Sequence, residues 1–109
     1  MRPVIKRRPH HDLTAVQAKF ARVETLELTR SAAQGAHALG FTLSDVVAVV
    51  QALKPRDFIK SETAHSPPNP RVWHDTYNLP WEELVLYLKF AGETLIDITL
   101  TSFKEMDNG

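Results

Sequence analysis

Residues 83–104, ELVLYLKFAGETLIDITLTSFK, decide the fold of this chain. Two apolar runs, 84–90 and 94–103, flank the short connection Ala91-Gly92-Glu93. A glycine between two alternating runs is typical of a β-hairpin. The stretch therefore predicts two antiparallel strands that are joined through residues 91–93.

The first strand of this hairpin has two chemically different faces, because strand side chains alternate with a period of two. The face expected in the core consists of Leu84, Leu86, Leu88 and Phe90. The other face carries Val85, Tyr87 and Lys89, and Lys104 follows at the end of the next strand. A tyrosine and lysines in one shallow groove can hold a phosphate, although a surface tyrosine beside solvated lysines is the alternative interpretation.

Length and composition predict one compact domain over residues 1–109. The chain is 43% hydrophobic and has no cysteine, which excludes disulfides and thiolate metal sites. No secretory signal pattern and no apolar run of roughly 20 residues is present, so we expect a cytoplasmic protein. Thirteen basic residues balance thirteen acidic ones, which argues against tight non-specific nucleic-acid binding. Residues 1–11, which include several basic residues and no acidic one, are expected to form a flexible segment.

Three amphipathic helices are predicted in the first half of the chain. Asp12 is the expected cap of the first helix, and Thr29 is the expected cap of the second, which ends at Gly40. Ser44 is expected to cap a third helix over residues 45–53. The run VVAVV within it would also suit a strand by propensity.

The remaining segments predict strands. Residues 23–28 alternate and predict a short edge strand, and residues 58–63 and 71–77 predict two longer ones. Proline-rich loops are expected at 65–70 and 78–81. Helices followed by consecutive antiparallel strands predict an α+β fold, a twisted sheet with helices on one face and an open opposite face.

Five short motifs occur in a characteristic order and spacing. They are LTRSA at 28–32, DFIKS at 57–61, VWHDTY at 72–77, VLYLK at 85–89 and SFKE at 102–105. Together they resemble the MqsR family of toxins over residues 12–105. The resemblance implies a RelE-like fold and an mRNA endoribonuclease, the interferase of a type II toxin–antitoxin system that inhibits translation.

The resemblance also implies a site and partners. The family's active-site positions match Lys60, His74, Tyr87 and Lys104, with His74 standing where the best-known members carry Gln. It implies cleavage of single-stranded mRNA without a metal or other cofactor. It further implies an MqsA-like antitoxin, which is zinc-binding and carries a helix-turn-helix, with operator DNA reached only through that antitoxin and no membrane partner.

The residue types at these four positions suit RNA cleavage by the neighbouring 2′-hydroxyl. Such cleavage needs a proton acceptor, cations that neutralise the phosphorane and a proton donor for the 5′-oxygen. Lys60 and Lys104 would supply the charge, whereas His74 and Tyr87 can each serve as base or acid. The candidates for contacting flanking nucleotides are Arg71, Lys89 and Trp81.

Strand alternation alone leaves three orientations open. Lys60 has the same parity as Phe58, so one of the two would be on the wrong face. Lys104 has the parity of the core residue Leu100 and would point inward unless a β-bulge follows Leu100. Asp75 falls on the core side, where its carboxylate needs backbone donors.

Two other functions are compatible with the sequence. The candidate zinc ligands are His10, His11, His65, His74 and Asp75, although no HExxH or HxH spacing is present. A non-catalytic module that docks a protein or nucleic acid on the open sheet face is the second alternative. Cleavage of RNA in excess chelator distinguishes an endoribonuclease from both.

Overall fold

A computed structural model describes residues 4–65 and 67–106 of the chain. The described part contains a five-stranded antiparallel sheet whose strands lie side by side in chain order. The strands are β1 (Ile5–Lys6), β2 (Phe58–His65), β3 (Pro68–Trp81), β4 (Leu84–Gly92) and β5 (Thr99–Glu105). The helices are α1 (Leu13–Lys19), α2 (Arg30–Ala38) and α3 (Leu43–Ala52), with 3₁₀ turns at Val23–Thr25 and Pro55–Asp57. The predicted α+β class is confirmed.

Each helix begins at a side-chain cap. Asp12 and Thr29 accept backbone N–H groups of the first turns of α1 and α2, as predicted. The predicted cap at Ser44 is wrong, because Thr42 and Asp45 form a reciprocal capping box that starts α3 two residues earlier. The predicted stop after α2 is present, since Gly40 has a φ of 81°.

One face of the sheet, here called the core face, is covered by the helices. Leu86, Leu88 and Phe90 are completely buried there, as the alternation of β4 predicts. The buried helical residues in the same core are Val16, Ala32, Ala36, Val46, Val49 and Val50. The opposite face, here called the open face, carries the candidate site.

Helix α2 lies unusually close to β5. A Cβ atom at Gly35 would be 1.9 Å from the carbonyl oxygen of Phe103, so only glycine fits this contact. At the start of the helix, the Thr29 N–H donates to the Leu100 carbonyl and its hydroxyl donates to the Thr101 carbonyl. The helix is therefore fixed directly on the strand that carries Lys104.

The predicted hairpin is present, but its connection is longer than residues 91–93. β4 pairs with β5, and residues 93–98 form the turn between them. The Asp97 carboxylate accepts the N–H groups of Thr94 and Glu93 at 2.8 and 3.2 Å, which lowers the pKa of Asp97 to about 2. Lys19 donates to two carbonyl groups of the turn. These side-chain bonds to the backbone replace the ladder bonds of a longer strand.

The proline-rich segment 65–70 is not the irregular loop that the sequence predicts. β2 continues to His65, and β3 already begins at Pro68. Pro70 lies where the register between β2 and β3 is irregular, between the pairs Ala64–Asn69 and Thr63–Trp73, whereas Pro68 pairs with His65 at the start of β3. Proline is tolerated at such irregularities because a ladder N–H is not needed there.

The predicted loop at 78–81 also lies within a strand. β3 runs to Trp81, and the chain turns at Glu82, which has a φ of 54°. The last pair between β2 and β3 is at Tyr77, so one edge of β3 is unpaired beyond this point. Pro80 therefore lies on a strand edge that needs no donor.

Residues 23–28 do not form the predicted edge strand. Val23–Thr25 is a 3₁₀ turn, and Leu28 makes a single parallel bridge with Leu100. Because α2 starts at Arg30, the chain leaves the sheet after this one bridge.

Residues 4–11 of the basic N-terminal segment contact the sheet, and residues 1–3 of the segment predicted to be flexible lie outside the described residues. β1 pairs with β2. The N–H groups of His10 and His11 donate to the Asp75 carboxylate at 3.1 and 2.9 Å, and the Ser61 hydroxyl donates to it at 2.5 Å. Asp75 thus has the backbone donors that its burial requires.

Lys6, His10 and Trp73 form a stack beside this carboxylate. The His10 ring lies parallel to Trp73 at a centroid distance of 4.9 Å, and the Lys6 ammonium lies 4.2 Å from the Trp73 centroid. Lys6 Nζ also donates to His10 Nδ1 at 3.0 Å. Burial, followed by the charge of Lys6, lowers the pKa of His10, which keeps Nδ1 able to accept.

Among residues 4–65 and 67–106, no single helix has the length and apolar character to cross a membrane; the bent pair Arg30–Ala38 and Leu43–Ala52 meets that test only when taken together.

Candidate active site

Antiparallel pairing arranges the side chains of the open face in three neighbouring rows that cross the strands. The first row is Asn78, Tyr87 and Lys104; the second is Lys60, Thr76, Lys89 and Ser102; the third is Glu62, His74 and Ala91. Residues two apart on a strand are roughly 7 Å apart, so the rows are close neighbours.

A β-bulge in β2 brings Lys60 to the open face. Phe58 pairs with Tyr77, but Lys60 pairs with Thr76, so Ile59 is an extra residue in β2. Phe58 packs on the core, with its ring 5.6 Å from that of Tyr77. Lys60 and Phe58 therefore lie on opposite faces despite their even spacing.

A second β-bulge, in β5, brings Lys104 to the open face. Phe90 pairs with Leu100, but Lys89 pairs with Ser102, so Thr101 is the extra residue. The Thr101 hydroxyl donates to the Lys89 carbonyl at 3.1 Å and holds the bulge. This β-bulge follows Leu100 directly and turns Lys104 to the open face, which the sequence alone left undecided.

These rows form a groove of about 360 Å³, here called the lysine groove. It is lined by Ile59, Lys60, Thr76, Asn78, Tyr87, Lys104 and Met106. The Lys104 ammonium lies 5.2 Å from the Tyr87 ring centroid, and Lys60 Nζ lies 3.2 Å from a Glu62 carboxylate oxygen. Because 44% of the Lys60 side chain is exposed, this ion pair is weak and leaves Lys60 able to bind an anion. None of the residues that line the groove is acidic.

Two buried polar atoms lie at the floor of the lysine groove. Thr76 Oγ1 and Asn78 Oδ1 have no hydrogen-bond partner among the described residues. A buried polar atom without a partner costs about 1–3 kcal/mol. The floor of the groove therefore has hydrogen-bonding capacity that the described chain does not use.

His74 does not line the lysine groove. It lies in the third row, one row beyond Lys60, and lines an adjoining pocket instead. Burial, followed by the charge of Lys89, lowers the pKa of His74, which makes the neutral ring the main form at neutral pH. Burial contributes more to this lowering of the His74 pKa than the charge of Lys89 does.

The adjoining pocket lies at the β2–β3 turn and is here called the turn pocket. Its volume is about 440 Å³, and its lining includes His65, Pro67, Asn69, Val72, His74 and Lys89. Lys89 lines the turn pocket, but its ammonium lies toward the lysine groove, 5.8 Å from the Tyr87 ring centroid.

The three candidates for nucleotide contacts lie in different places. Lys89 lines the turn pocket. Trp81 packs on the core face with its ring 6.5 Å from that of Phe41, so its proposed place beside the groove is wrong. The reason is parity, since Trp81 follows the core residues Tyr77 and Leu79 at even spacing. Arg71 is exposed and lines neither the lysine groove nor the turn pocket.

The candidate zinc ligands do not converge. Within the described residues, no three His, Cys, Asp or Glu side chains are grouped closely enough to hold a metal ion. His10 and His11 are bound at Asp75, whereas His65 and His74 line the turn pocket.

Sequence reasoning missed three polar residues of this face, Asn69, Thr76 and Asn78. A signal existed for two of them, because Thr76 and Asn78 follow His74 at even spacing along one strand. No parity was available for Asn69, because it lies among prolines that predict an irregular loop.

The fold and site define a small α+β protein with a lysine-lined groove on the open face of its sheet. In a comparison with protein families, residues 8–105 match the family described as motility quorum-sensing regulator, toxin of MqsA. The chain belongs to this MqsR toxin family, whose members are toxins of toxin–antitoxin systems, and the resemblance inferred from the five motifs is thereby confirmed. A comparison with curated proteins gives no match.

Proposed function

We propose that this protein cleaves single-stranded mRNA at internal sites and so inhibits translation in the cytoplasm, as the toxin of a type II toxin–antitoxin system. The observation that carries the proposal is that Lys60, Tyr87 and Lys104, which come from three different strands, line one groove on the open face. Membership of the MqsR toxin family supports the same conclusion.

In this proposal the scissile phosphate occupies the lysine groove. Lys60 and Lys104 neutralise the charge that develops on its non-bridging oxygens, as fixed cations do at other sites of phosphoryl chemistry. Tyr87 lines the same groove, and in this proposal its hydroxyl donates a hydrogen bond to the phosphate. Lysines provide the positive charge, so we expect cleavage to proceed in excess chelator.

The ribose that supplies the attacking hydroxyl lies over the second and third rows, beside His74. The neutral His74 ring accepts the proton of the 2′-hydroxyl, whose oxygen then forms a bond to phosphorus. The bond from phosphorus to the 5′-oxygen breaks, and Tyr87 or a groove lysine protonates that oxygen. The products are a 2′,3′-cyclic phosphate and a free 5′-hydroxyl, so atoms and protons balance.

An antitoxin is the proposed protein partner. The family description identifies its members as the toxin of MqsA. We propose that the partner here is MqsA-like, zinc-binding and equipped with a helix-turn-helix, and that operator DNA is reached only through it.

The decisive experiment incubates the purified protein with a short labelled RNA in excess chelator and identifies the new ends by mass spectrometry. We expect 2′,3′-cyclic phosphate and 5′-hydroxyl ends. Binding of RNA without cleavage would favour a non-catalytic module, and 3′-hydroxyl ends would contradict attack by the 2′-hydroxyl.

Variants connect the activity to the groove. Tyr87→Phe and Lys104→Met should each reduce the single-turnover rate by about 10²–10³-fold, the usual effect of removing one transition-state donor. Lys54→Met is the matched control, because Lys54 is exposed and lines neither the groove nor the turn pocket. Equal rates in Lys104→Met and the control would contradict the assignment of the groove.

A further inference from the structure

Asn78 lies at the end of the lysine groove. It pairs with Tyr87 on β4, but it has no paired residue on β2, because the last pair between β2 and β3 is at Tyr77. On this open side the groove is lined by Ile59 and Met106. Ile59 is 48% exposed and presents apolar surface to a ligand in the groove. Asn78 therefore lies where a bound chain can continue out of the groove past the end of β2.

The side-chain oxygen of Asn78 needs a hydrogen-bond donor. Asn78 Oδ1 is buried and has no partner among the described residues, which destabilises the free protein. An amide oxygen can only accept a hydrogen bond, so the oxygens of a phosphate, which are acceptors themselves, cannot satisfy it. The sugar–phosphate backbone of RNA has a single kind of donor, the ribose 2′-hydroxyl. In a groove that holds a phosphate, this hydroxyl is the group that matches Oδ1.

The order of the three rows determines which ribose reaches Asn78. His74 and Asn78 are four residues apart on β3, roughly 13 Å in an extended strand, and Thr76 lies midway. In the proposed reaction the attacking ribose faces His74, and Lys60 and Lys104 hold the scissile phosphate. The chain continues from this phosphate away from His74, toward the first row. The ribose beside Asn78 is therefore that of the nucleotide 3′ of the cut.

We propose that Asn78 binds the 2′-hydroxyl of the nucleotide immediately 3′ of the cut, so that cleavage depends on a second ribose besides the attacking one. The inference rests on the proposed function and adds a sugar-recognition residue to it. The hydroxyl donates to Asn78 Oδ1, and the ribose carbons pack against Ile59 and Met106. Because this hydroxyl takes no part in bond making or breaking, its loss should slow the reaction without stopping it, whichever base the nucleotide carries.

The experiment uses short RNAs of one base sequence with one mapped cut site, in single turnover and excess chelator. A 2′-fluoro group replaces the hydroxyl at one position at a time, because fluorine cannot donate a hydrogen bond but keeps the RNA-like sugar conformation. At the nucleotide 5′ of the cut the replacement should stop cleavage, since it removes the nucleophile. At the nucleotide 3′ of the cut it should slow the wild type by about three- to tenfold, the effect of one neutral hydrogen bond.

The informative variant is Asn78→Leu, because leucine has a similar shape but no acceptor. It should cleave the unmodified RNA about three- to tenfold more slowly than the wild type and should not be slowed further by fluorine 3′ of the cut. Gln34→Leu is the matched control, an amide-to-leucine change on the exposed side of α2, and should keep the wild-type response. Asn78→Asp retains an acceptor oxygen and should keep the response too, which provides a second test if Asn78→Leu fails to fold.

Stability distinguishes substrate recognition from a structural role. Asn78 Oδ1 has no partner among the residues that the structure describes, so Asn78→Leu breaks no hydrogen bond of this oxygen. The urea concentration at half-unfolding should therefore not fall in this variant. A lower midpoint together with an unchanged response to fluorine would assign Asn78 a structural role and overturn the inference.

The outcomes separate the two proposals. Failure of the wild type to cut the unmodified RNA would overturn the proposed function and this inference with it. Cleavage that fluorine 3′ of the cut does not slow would overturn the inference alone, as would equal slowing in the wild type and Asn78→Leu or loss of the slowing in Asn78→Asp. Slowing that is present in the wild type, Gln34→Leu and Asn78→Asp but absent in Asn78→Leu supports the inference.

Discussion

Replacement of Asp75 by Asn tests how the N-terminal segment is attached to the sheet. The Asp75 carboxylate is 1% exposed and accepts three hydrogen bonds, from the N–H groups of His10 and His11 and from the Ser61 hydroxyl. Oδ1 accepts two of them and Oδ2 accepts the third. An asparagine can keep the two bonds to its oxygen, but its NH₂ group then faces the His11 N–H, and two donors oppose each other.

The expected cost follows from these bonds. A hydrogen bond to a charged group contributes about 1.5–3 kcal/mol, and a neutral bond contributes about 1 kcal/mol. Losing the bond from His11 and weakening the other two should lower the free energy of unfolding by about 2–4 kcal/mol. This is a large part of the roughly 5–15 kcal/mol that stabilises a typical domain.

Urea unfolding measures the change, and hydrogen exchange shows where it occurs. In Asp75→Asn the amides of His10 and His11 should lose protection before the buried amides of β4 do. Ser61→Ala is the matched control, because it removes one donor but leaves the carboxylate its two backbone bonds; it should cost about 1–2 kcal/mol. A loss below about 1 kcal/mol in Asp75→Asn, with both histidine amides still protected, would refute the reasoning.

Three further predictions concern the proton, the partner and the packing. If His74 is the base, the single-turnover rate should rise with pH through a pKa below 6.5 and then level off, because only the neutral ring accepts a proton. His74→Gln should remove this rise and slow the reaction by less than about 10⁴-fold; an unchanged pH–rate curve would assign the proton to another group. Tyr87→Phe should still bind the antitoxin tightly in calorimetry, since most of the contact surface is unaltered, and loss of the complex by a folded variant would contradict this. Gly35→Ala should lower the free energy of unfolding by about 1–3 kcal/mol, because the added Cβ would clash with the Phe103 carbonyl. The control Ser31→Ala, on the exposed side of α2, should leave the free energy of unfolding nearly unchanged. Equal stabilities of the two variants in urea unfolding would argue against the close contact.

Local sequence patterns predicted correctly those elements whose structure depends mainly on residues within the element itself. The alternation of Leu86, Leu88 and Phe90 identified the buried face of β4, because burial on one side of a strand imposes a period of two. Asp12 and Thr29 identified two helix starts, because their side chains bond to the adjacent turn.

Elements that depend on distant residues were predicted poorly. Residues 94–98 have strand-like composition, but Asp97 and Lys19 bind their backbone, and Lys19 comes from another part of the chain. β1 is only two residues long and exists because β2 provides a partner edge. The prolines at 65–70 and 78–81 led to predicted loops, although β3 runs through most of both segments. Proline is compatible with a strand edge that has no neighbour, and the sequence does not show which edges lack one.

The candidate site was only partly predictable for the same reason. The orientation of Tyr87 follows directly from alternation, but those of Lys60 and Lys104 depend on bulges that neither segment signals locally. The sequence motifs identified both lysines but did not show which face of the sheet they occupy. They also grouped His74 with the lysines, although pairing places His74 one row away from Lys60.

The bulge residues Ile59 and Thr101 have a genetic consequence. Deleting either codon would join the neighbouring pairs into a regular ladder and leave the following lysine on the same side of the sheet. No residue lies between Ile59 and Lys60 in β2, but in β5 a deletion of Phe103 that keeps the bulge would turn Lys104 toward the core face. A scan of single-codon deletions through β2 and β5 should therefore retain toxicity best at positions 59 and 101, and natural length differences among relatives should accumulate at these two places.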